Sequence, residues 1–193
     1  GGGVMSVVRV NQVQDTSTNV AANISGGVVT FTNPPINVGV SNLQIFNLTS
    51  DVALNTSIAT LTNYNDGHNT QDFKRIGTAW SVSNGVFTPS VSGLYEITFV
   101  ASYKATTSNR YLEINFNFST DSGSNFASQD MYTSLTHTSS TSFTQTNFSR
   151  YYNITNASNT RFYVAASAAS SATLRGASNL ISYVIFKRLA DAQ

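Results

Sequence analysis

The stretch that decides the fold is Trp80 to Tyr103, which reads WSVSNGVFTPSVSGLYEITFVASY. Two turn signals, Asn84-Gly85 and Ser92-Gly93, divide it into shorter segments. After the second turn, an apolar or aromatic side chain occupies every second position from Tyr95 to Tyr103. Because successive side chains of a strand point to opposite faces, this alternation predicts a β-strand that covers a core with one face.

Composition extends this interpretation to the whole chain. The chain has 193 residues, of which only 10% are charged, whereas Ser, Thr and Asn are abundant. Thr packs well on a pleated surface, and Asn and Ser favour turns. The composition therefore predicts an all-β protein with hydroxyl-rich outer faces, long enough to bury a sizeable core.

Several classes of partner are not expected. The net charge is +1 and the ten Lys and Arg residues are scattered, whereas nucleic-acid binding needs a basic stripe. No apolar run approaches the roughly 18 to 20 residues that span a bilayer, and the start of the chain lacks the pattern of a signal peptide. Cys is absent, which leaves no disulfides and no thiolate metal sites.

The first forty residues differ from the rest. Short, weakly hydrophobic strands are predicted around Val7 to Val13 and at Val28 to Thr32, on either side of a turn-rich segment at Asp15 to Asn19. Such strands bury too little surface to offset chain entropy alone. We therefore expect residues 1–40 to form an attachment segment that docks on another chain, and residues 41–193 to form the main domain.

The remaining residues predict eight to ten short strands, the spacing expected of a sandwich or jelly roll. Between residues 41 and 65 a helix is an alternative, because Leu54, Ile58 and Leu61 could share one helical face, but Thr and Asn density favours strands. In the run 111–119, the apolar residues are predicted to face in while Glu113, Asn115 and Asn117 face out. The run from Leu180 to Leu189 is the most hydrophobic and is predicted to lie in the middle of a sheet.

A family resemblance adds to this pattern. The segment GVFTPSVSGLYEITF resembles the signature of the C1q and tumour-necrosis-factor-like jelly roll, with Phe87, Gly93 and Tyr95 at the positions of that signature. Residues 152–164 resemble the family's paired strands around a turn, and residues 181–186 resemble its closing strand. The chain departs from the family pattern at Ser92 and Ser182.

The resemblance implies a ten-stranded jelly roll that forms a tight homotrimer with aromatic and aliphatic residues on the threefold axis. The residues it selects for packing, either in the core or at the axis, are Phe87, Tyr95, Phe99, Tyr103, Tyr183 and Phe186.

The segment from Met5 to Ser17 is similar to the starts of virion structural and fibre proteins of tailed bacteriophages. This resemblance implies a non-enzymatic fibre, spike or capsid decoration protein on the virion surface. Its first segment would bind other virion proteins, and its head could bind a host surface glycan or receptor. The alternative is a secreted C1q-like recognition module that binds glycans or a receptor.

Few residues indicate site chemistry. Asp66, His68 and Asp72 could contribute to a calcium site, although a solvated loop is the simpler interpretation. Glu113, Asp121 and Asp130 could likewise gather near an axis. No catalytic or cofactor-binding residues are predicted, because the only histidines, His68 and His137, stand in polar loops among many serines. Four aromatic residues could stack on sugars, but core or interface roles are favoured: Trp80, Tyr151, Tyr152 and Tyr163.

Overall fold

The computed structural model describes residues 12–14, 20–25, 28–31, 40–66, 75–105, 111–134, 143–177 and 181–193. The chain divides into two compact units, Gly1–Val38 and Gly39–Gln193. In the described part there is no helix with the length and apolar character that crossing a bilayer requires.

The first unit contains an antiparallel sheet in the order β1-β2-β3, formed by β1 (Gln12–Gln14), β2 (Val20–Ser25) and β3 (Val28–Phe31). The predicted strand at Val28 to Thr32 corresponds to β3. The sequence did not predict β2, because the alternation of Val20, Ala22 and Ile24 with Ala21, Asn23 and Ser25 spans only six residues and includes two small Ala side chains.

The second unit is built from strands, and thirteen of them lie in the described residues: β4 (Asn42–Leu48), β5 (Val52–Leu54), β6 (Ala59–Thr60), β7 (Tyr64–Asp66), β8 (Trp80–Ser83), β9 (Val86–Pro89), β10 (Gly93–Ala105), β11 (Leu112–Ser119), β12 (Ala127–Thr133), β13 (Thr144–Ile154), β14 (Arg161–Ala168), β15 (Ala172–Leu174) and β16 (Tyr183–Ala190). This exceeds the predicted eight to ten, because strands of two or three residues are too short to show periodicity. The alternative helix is absent: Leu54 ends β5, and Leu61 follows β6.

These strands form two antiparallel sheets. In the first sheet, β10 pairs with β13, β15 and β16, and β16 pairs in turn with β4, which is followed by β7. The second sheet has the order β12-β11-β14-β9-β8, and β6 also pairs with β14. As predicted, the hydrophobic closing strand β16 lies inside its sheet, between β10 and β4.

One prediction from the family resemblance is wrong. Residues 152–164 were expected to form two paired strands, but β13 pairs with β10 in the first sheet, whereas β14 pairs with β11 in the second. The turn between them is closed by the Thr160 hydroxyl, which donates to the carbonyl of Asn156 at 2.7 Å. The chain therefore crosses from one sheet to the other at this turn.

The predicted turn at Asn84-Gly85 joins β8 to β9. Both residues have positive φ angles, 49° and 77°, which is the backbone of the type I′ turn that Asn-Gly favours. A Cβ atom on Gly85 would lie 2.3 Å from the carbonyl oxygen of Leu61. Glycine is therefore required here both for its conformation and for the close approach of the neighbouring chain.

The core lies between the two sheets and is rich in aromatic rings. The rings of Phe87 and Phe186, one from each sheet, have centroids 5.0 Å apart. The largest fully buried side chains include Tyr95, Phe46, Phe87, Phe99, Phe116, Phe162 and Phe186. Burying one such side chain stabilises a fold by about 1.5–3 kcal/mol, so this cluster holds the sheets together.

Candidate functional site

The residues selected for packing fall into two groups. Phe87, Tyr95, Phe99 and Phe186 are fully buried and Tyr103 is 3% exposed, so all of these lie in the core of a single chain. Tyr183 alternates with the buried Val184 on β16 and therefore points away from the core. The sequence left open which of these residues face the core, and the structure places only Tyr183 on an outer surface.

Tyr183 belongs to the outer face of the first sheet, which we define by three rows of residues aligned across neighbouring strands. The middle row places Ile45 beside Ile185, Ile185 beside Thr98 and Thr98 beside Ser149. The hydroxyls of Thr98 and Ser149 are 2.6 Å apart and share a hydrogen bond. This row is therefore apolar at one end and uncharged throughout.

The second row of the outer face runs from Asn47 through Tyr183 and Val100 to Asn147. Tyr183 is half-buried, and Val100 is 9% exposed. These two rows together place two aliphatic residues of neighbouring strands, Ile185 and Val100, next to an aromatic ring on the surface of the sandwich.

The third row carries the charges of the outer face. It runs from Leu43 through Lys187 and Glu96 to Tyr151. The ammonium of Lys187 lies 3.3 Å from Glu96 Oε2, and the Tyr151 hydroxyl donates to Glu96 Oε1 at 3.4 Å. Tyr151 is 65% exposed, so its ring is available to another molecule.

The outer face of the second sheet holds a polar network around Glu113. Its Oε1 accepts hydrogen bonds from Asn115 Nδ2 at 2.9 Å and from the Tyr132 hydroxyl at 3.1 Å. Its Oε2 accepts from the Ser167 hydroxyl at 2.7 Å. The same Asn115 amide donates to Asp130 at 2.7 Å. Glu113 therefore points outward as predicted, yet it is only 8% exposed, because its cross-strand neighbours surround it.

Two further features characterise this network. The hydrogen bond to the Glu113 carboxylate raises the pKa of Tyr132, since losing the proton would place two negative charges together. The buried Oδ1 of Asn115 has no hydrogen-bond partner. Glu113 and Asp130 thus accept hydrogen bonds from the same Asn115 amide within one chain, whereas the gathering of Glu113, Asp121 and Asp130 near an axis stays a prediction.

Asp121, the third of those acidic residues, forms hydrogen bonds within a turn. Its carboxylate accepts hydrogen bonds from the Ser119 hydroxyl at 2.6 Å and from the Asn125 main-chain N–H at 2.9 Å. These bonds lower the pKa of Asp121 to about 2. Asp121 therefore closes the turn after β11.

The candidate calcium ligands are only partly described. Asp66 ends β7 and forms an ion pair with Arg75 at 2.6 Å, while His68 and Asp72 lie outside the described residues. His137 also lies outside them. Within the described ranges, no three acidic, His or Cys side chains are grouped as a metal site would require.

The four aromatic candidates for sugar stacking are separated. Trp80 is 4% exposed and Tyr152 is 7% exposed, so both belong to the core. Tyr163 is half-buried against Phe126 at 4.8 Å between centroids. Only Tyr151 presents its ring to solvent.

A small hollow lies near the turn between β13 and β14. Its volume is about 130 Å³. Apolar groups of Phe118 and Ile154 contribute to it, and the rest of its lining is uncharged and polar: Thr120, Asn153, Thr155, Asn156, Asn159 and Thr160. Amide and hydroxyl groups beside an aromatic ring are suited to a small neutral polar ligand.

Comparisons with known proteins identify the fold. No family model matches the sequence, and no curated protein matches it. Among solved structures, Eiger TNF from S. frugiperda has a TM-score of 0.56 at 11% identity, covering 80% of this chain and 96% of its own. Murine APRIL has a TM-score of 0.54 at 7% identity, covering 77% of this chain and 98% of its own.

At these identities the likeness shows the fold alone. The PRD1 vertex protein P5 also matches, with 16% identity and 78% of this chain covered, but its TM-score of 0.43 is too low to carry an argument. Two facing antiparallel sheets and the likeness to Eiger TNF together establish a TNF-like jelly-roll sandwich, the predicted fold class.

Proposed function

We propose that this jelly-roll chain is a non-enzymatic structural protein of a bacteriophage virion, such as a fibre, spike or capsid decoration protein. Its head, the second unit, assembles as a homotrimer through the outer face of the first sheet. The first unit attaches the trimer to other virion proteins, and the head is free to contact the host surface.

The observation that carries the assembly is the two-sided character of β16. Val184 and Phe186 are fully buried in the core, while Tyr183 and Ile185 on the opposite face are half-buried beside Val100 and Ile45. Strands that are apolar on both faces are usually covered on both faces. A second copy of the chain is the cover we propose, and the number three comes from the family that the sequence resembles.

The attachment role is supported by the division of the chain. Gly1–Val38 forms a unit of its own with a three-stranded sheet, and its sequence resembles the starts of phage structural proteins. Separate docking and head units suit a particle protein, because one unit can bind the particle while the other contacts a host. Three copies of a weak binding surface on the head would then bind the host with avidity.

The test is native mass by sedimentation equilibrium, on the full chain and on a version that lacks residues 1–38. We expect both to be trimers, and the full chain alone to join virion proteins. A monomeric full chain at micromolar concentration would refute the assembly. Repeating the measurement with a chelator tests for an axial cation such as calcium, whose removal would then dissociate the trimer.

Two variants locate the interface. Ile185→Arg places a charge in the middle row of the outer face and is expected to give a folded monomer, because an unpaired charge in an apolar contact is costly. Ile58→Arg is the matched control, since Ile58 is 59% exposed, and it should stay trimeric. Circular dichroism checks that each variant is folded. A folded trimer of Ile185→Arg would show that the interface lies elsewhere.

The second candidate function is a secreted recognition module that binds glycans or a receptor. The observation that favours it is the hollow beside Phe118, with its uncharged amide and hydroxyl lining. Removing residues 1–38 separates the two functions. Loss of particle docking with an intact trimer supports the virion protein. Glycan or receptor binding that survives the removal supports the recognition module, because the hollow lies in the second unit.

A further inference from the structure

One end of the first sheet carries a cluster of two cations around an aromatic ring. Lys104 lies near the end of β10, Arg175 follows β15, and Phe143 precedes β13. Strand pairing brings them together, because Lys104 lies opposite Thr173 of β15 and its neighbour Tyr103 lies opposite Thr144 of β13. We refer to Lys104, Phe143 and Arg175 as the cationic cluster.

The geometry fixes both charges beside the same ring. The guanidinium carbon of Arg175 lies 4.5 Å from the centroid of Phe143, and the ammonium of Lys104 lies 5.6 Å from it. Both distances are within the range of a cation–π contact. The main-chain N–H of Arg175 also donates to the carbonyl of Ser102 at 2.8 Å, which ties this residue to β10. Phe143 remains 39% exposed.

The two cations have no acidic partner among the described residues. The ion pairs found there engage Arg75, Lys187 and Arg188 instead. Asp51 lies nearby, because its Oδ1 accepts a hydrogen bond from the main-chain N–H of Gly176 at 2.9 Å, but it forms no ion pair with either cation. Two like charges held beside one ring repel each other, and an anion between them would relieve that repulsion.

We propose that the cationic cluster binds an anionic group of an acidic polysaccharide. The Arg175 guanidinium can donate two parallel hydrogen bonds to a carboxylate or sulfate, and Lys104 adds a point charge. The exposed part of the Phe143 ring offers an apolar contact for the C–H groups of a sugar. The site belongs to one chain, so it does not depend on the proposed trimer, although a trimer would multiply its strength.

Calorimetric titration of the full chain tests this site with four polymers: dextran sulfate, polygalacturonate, neutral dextran and single-stranded DNA. We expect dextran sulfate or polygalacturonate to bind, the binding to weaken as salt is added, and neutral dextran not to bind. The first two polymers distinguish a sulfate from a carboxylate ligand. Absence of binding to both at low salt would overturn the proposal, as would tighter binding of DNA than of either polysaccharide.

Charge-matched variants locate the site. Lys104→Gln combined with Arg175→Gln is expected to weaken binding by about tenfold or more, because charge-assisted hydrogen bonds are lost. The control, Arg150→Gln combined with Arg161→Gln, removes the same charge elsewhere and should bind like the unaltered chain. Equal weakening in both double variants would mean that the polymers respond only to net charge, and would overturn the assignment.

Phe143→Leu isolates the contribution of the ring without a change in charge. We expect it to weaken binding by about two- to fivefold, since the ring no longer positions the cations. Unchanged binding would contradict the role of the ring in the cluster. Sedimentation of the same variants separates this result from the proposed assembly, because the double variant should keep the mass of the unaltered chain.

Discussion

The ring of Phe186 stacks on the indole of Trp80, with centroids 4.1 Å apart and an angle of 23° between the planes. Phe186 lies on β16 of the first sheet and Trp80 begins β8 of the second. This contact joins the two sheets. It also links the closing strand of the chain to the stretch from which the fold was predicted.

Replacing Phe186 by Ala should lower the free energy of unfolding by about 3–5 kcal/mol, the usual cost of emptying a buried aromatic position. Urea unfolding at a fixed chain concentration measures this change. Because Trp80 is the only tryptophan, its fluorescence reports directly on the contact. Ile58→Ala is the surface control and should cost less than about 1 kcal/mol. Similar losses in both variants would contradict the stacking as a major contribution.

Gln44 forms a second link between the sheets. Its side-chain amide donates to the carbonyl of Trp80 and accepts from the Trp80 N–H, both at 2.9 Å. Gln44→Leu leaves both buried main-chain groups without partners, so we expect a loss of about 2–4 kcal/mol in urea unfolding. Gln145→Leu is the control, because the contact of the Gln145 amide with the carbonyl of Ile181 is exposed and long, at 3.5 Å. Equal stability of the two variants would argue against the link.

The turn at Asn84-Gly85 allows a test at adjacent positions. Gly85→Ala should cost at least about 1–3 kcal/mol, because an L-residue is strained at a φ of 77° and its Cβ would clash with Leu61. Asn84→Gly should change stability by less than about 1 kcal/mol, because both residues adopt the positive φ of a type I′ turn and glycine mainly adds freedom to the unfolded chain. Thermal unfolding of the two variants makes the comparison. A Gly85→Ala variant as stable as the unaltered protein would show that the turn can rearrange.

The raised pKa values of two core tyrosines predict that the protein loses stability in alkali. Burial raises the pKa of Tyr95 and of Tyr152 to about 12, against an ordinary value of 10.0. The stabilisation from keeping these two hydroxyls protonated is complete below pH 10. It is lost as the pH rises towards 12, because the tyrosines of the unfolded chain release their protons at lower pH than those of the folded chain. Urea unfolding from pH 9 to pH 12 should show this decline.

The control for the alkaline decline is a pair of conservative variants. Tyr152→Phe removes a buried titrating group and should make the decline shallower. Tyr151→Phe removes an exposed neighbour and should leave it unchanged. Identical declines in all three proteins would show that other groups control alkaline unfolding.

The polar network predicts that Glu113 is needed as a carboxylate. Glu113→Gln keeps the shape but replaces an accepting oxygen with an amide that faces hydroxyl or amide donors, so we expect a loss of about 1–3 kcal/mol. Asp191→Asn is the control, because the Asp191 side chain is 81% exposed in its ion pair with Arg188, and such a pair should contribute less than about 1 kcal/mol. Chemical unfolding of both variants gives the comparison. A stable Glu113→Gln protein would mean that the network can exchange its donors.

Local features of the sequence determined the type of structure. The alternation from Tyr95 to Tyr103 predicted β10, the Asn84-Gly85 pair predicted the hairpin turn, and the apolar run at residues 180–189 predicted a strand inside a sheet. These predictions succeeded because side-chain alternation and backbone sterics act over a few residues. Of the outer face proposed for assembly, only Tyr183 was among the residues selected from the sequence, because the other five selected residues lie in the core.

Tertiary structure decided what each of those positions contacts. Alternation separates Phe186 from Tyr183 by face, but only the packing of the two sheets shows that Phe186 meets Trp80 while Tyr183 lies on the outer face. The Gln44 link spans 36 residues, and the cationic cluster joins side chains from three separate strands or their ends. Such juxtapositions depend on strand order and on which sheet each strand joins. Strand order and sheet membership are set by the burial of the whole core, and no local sequence pattern encodes them.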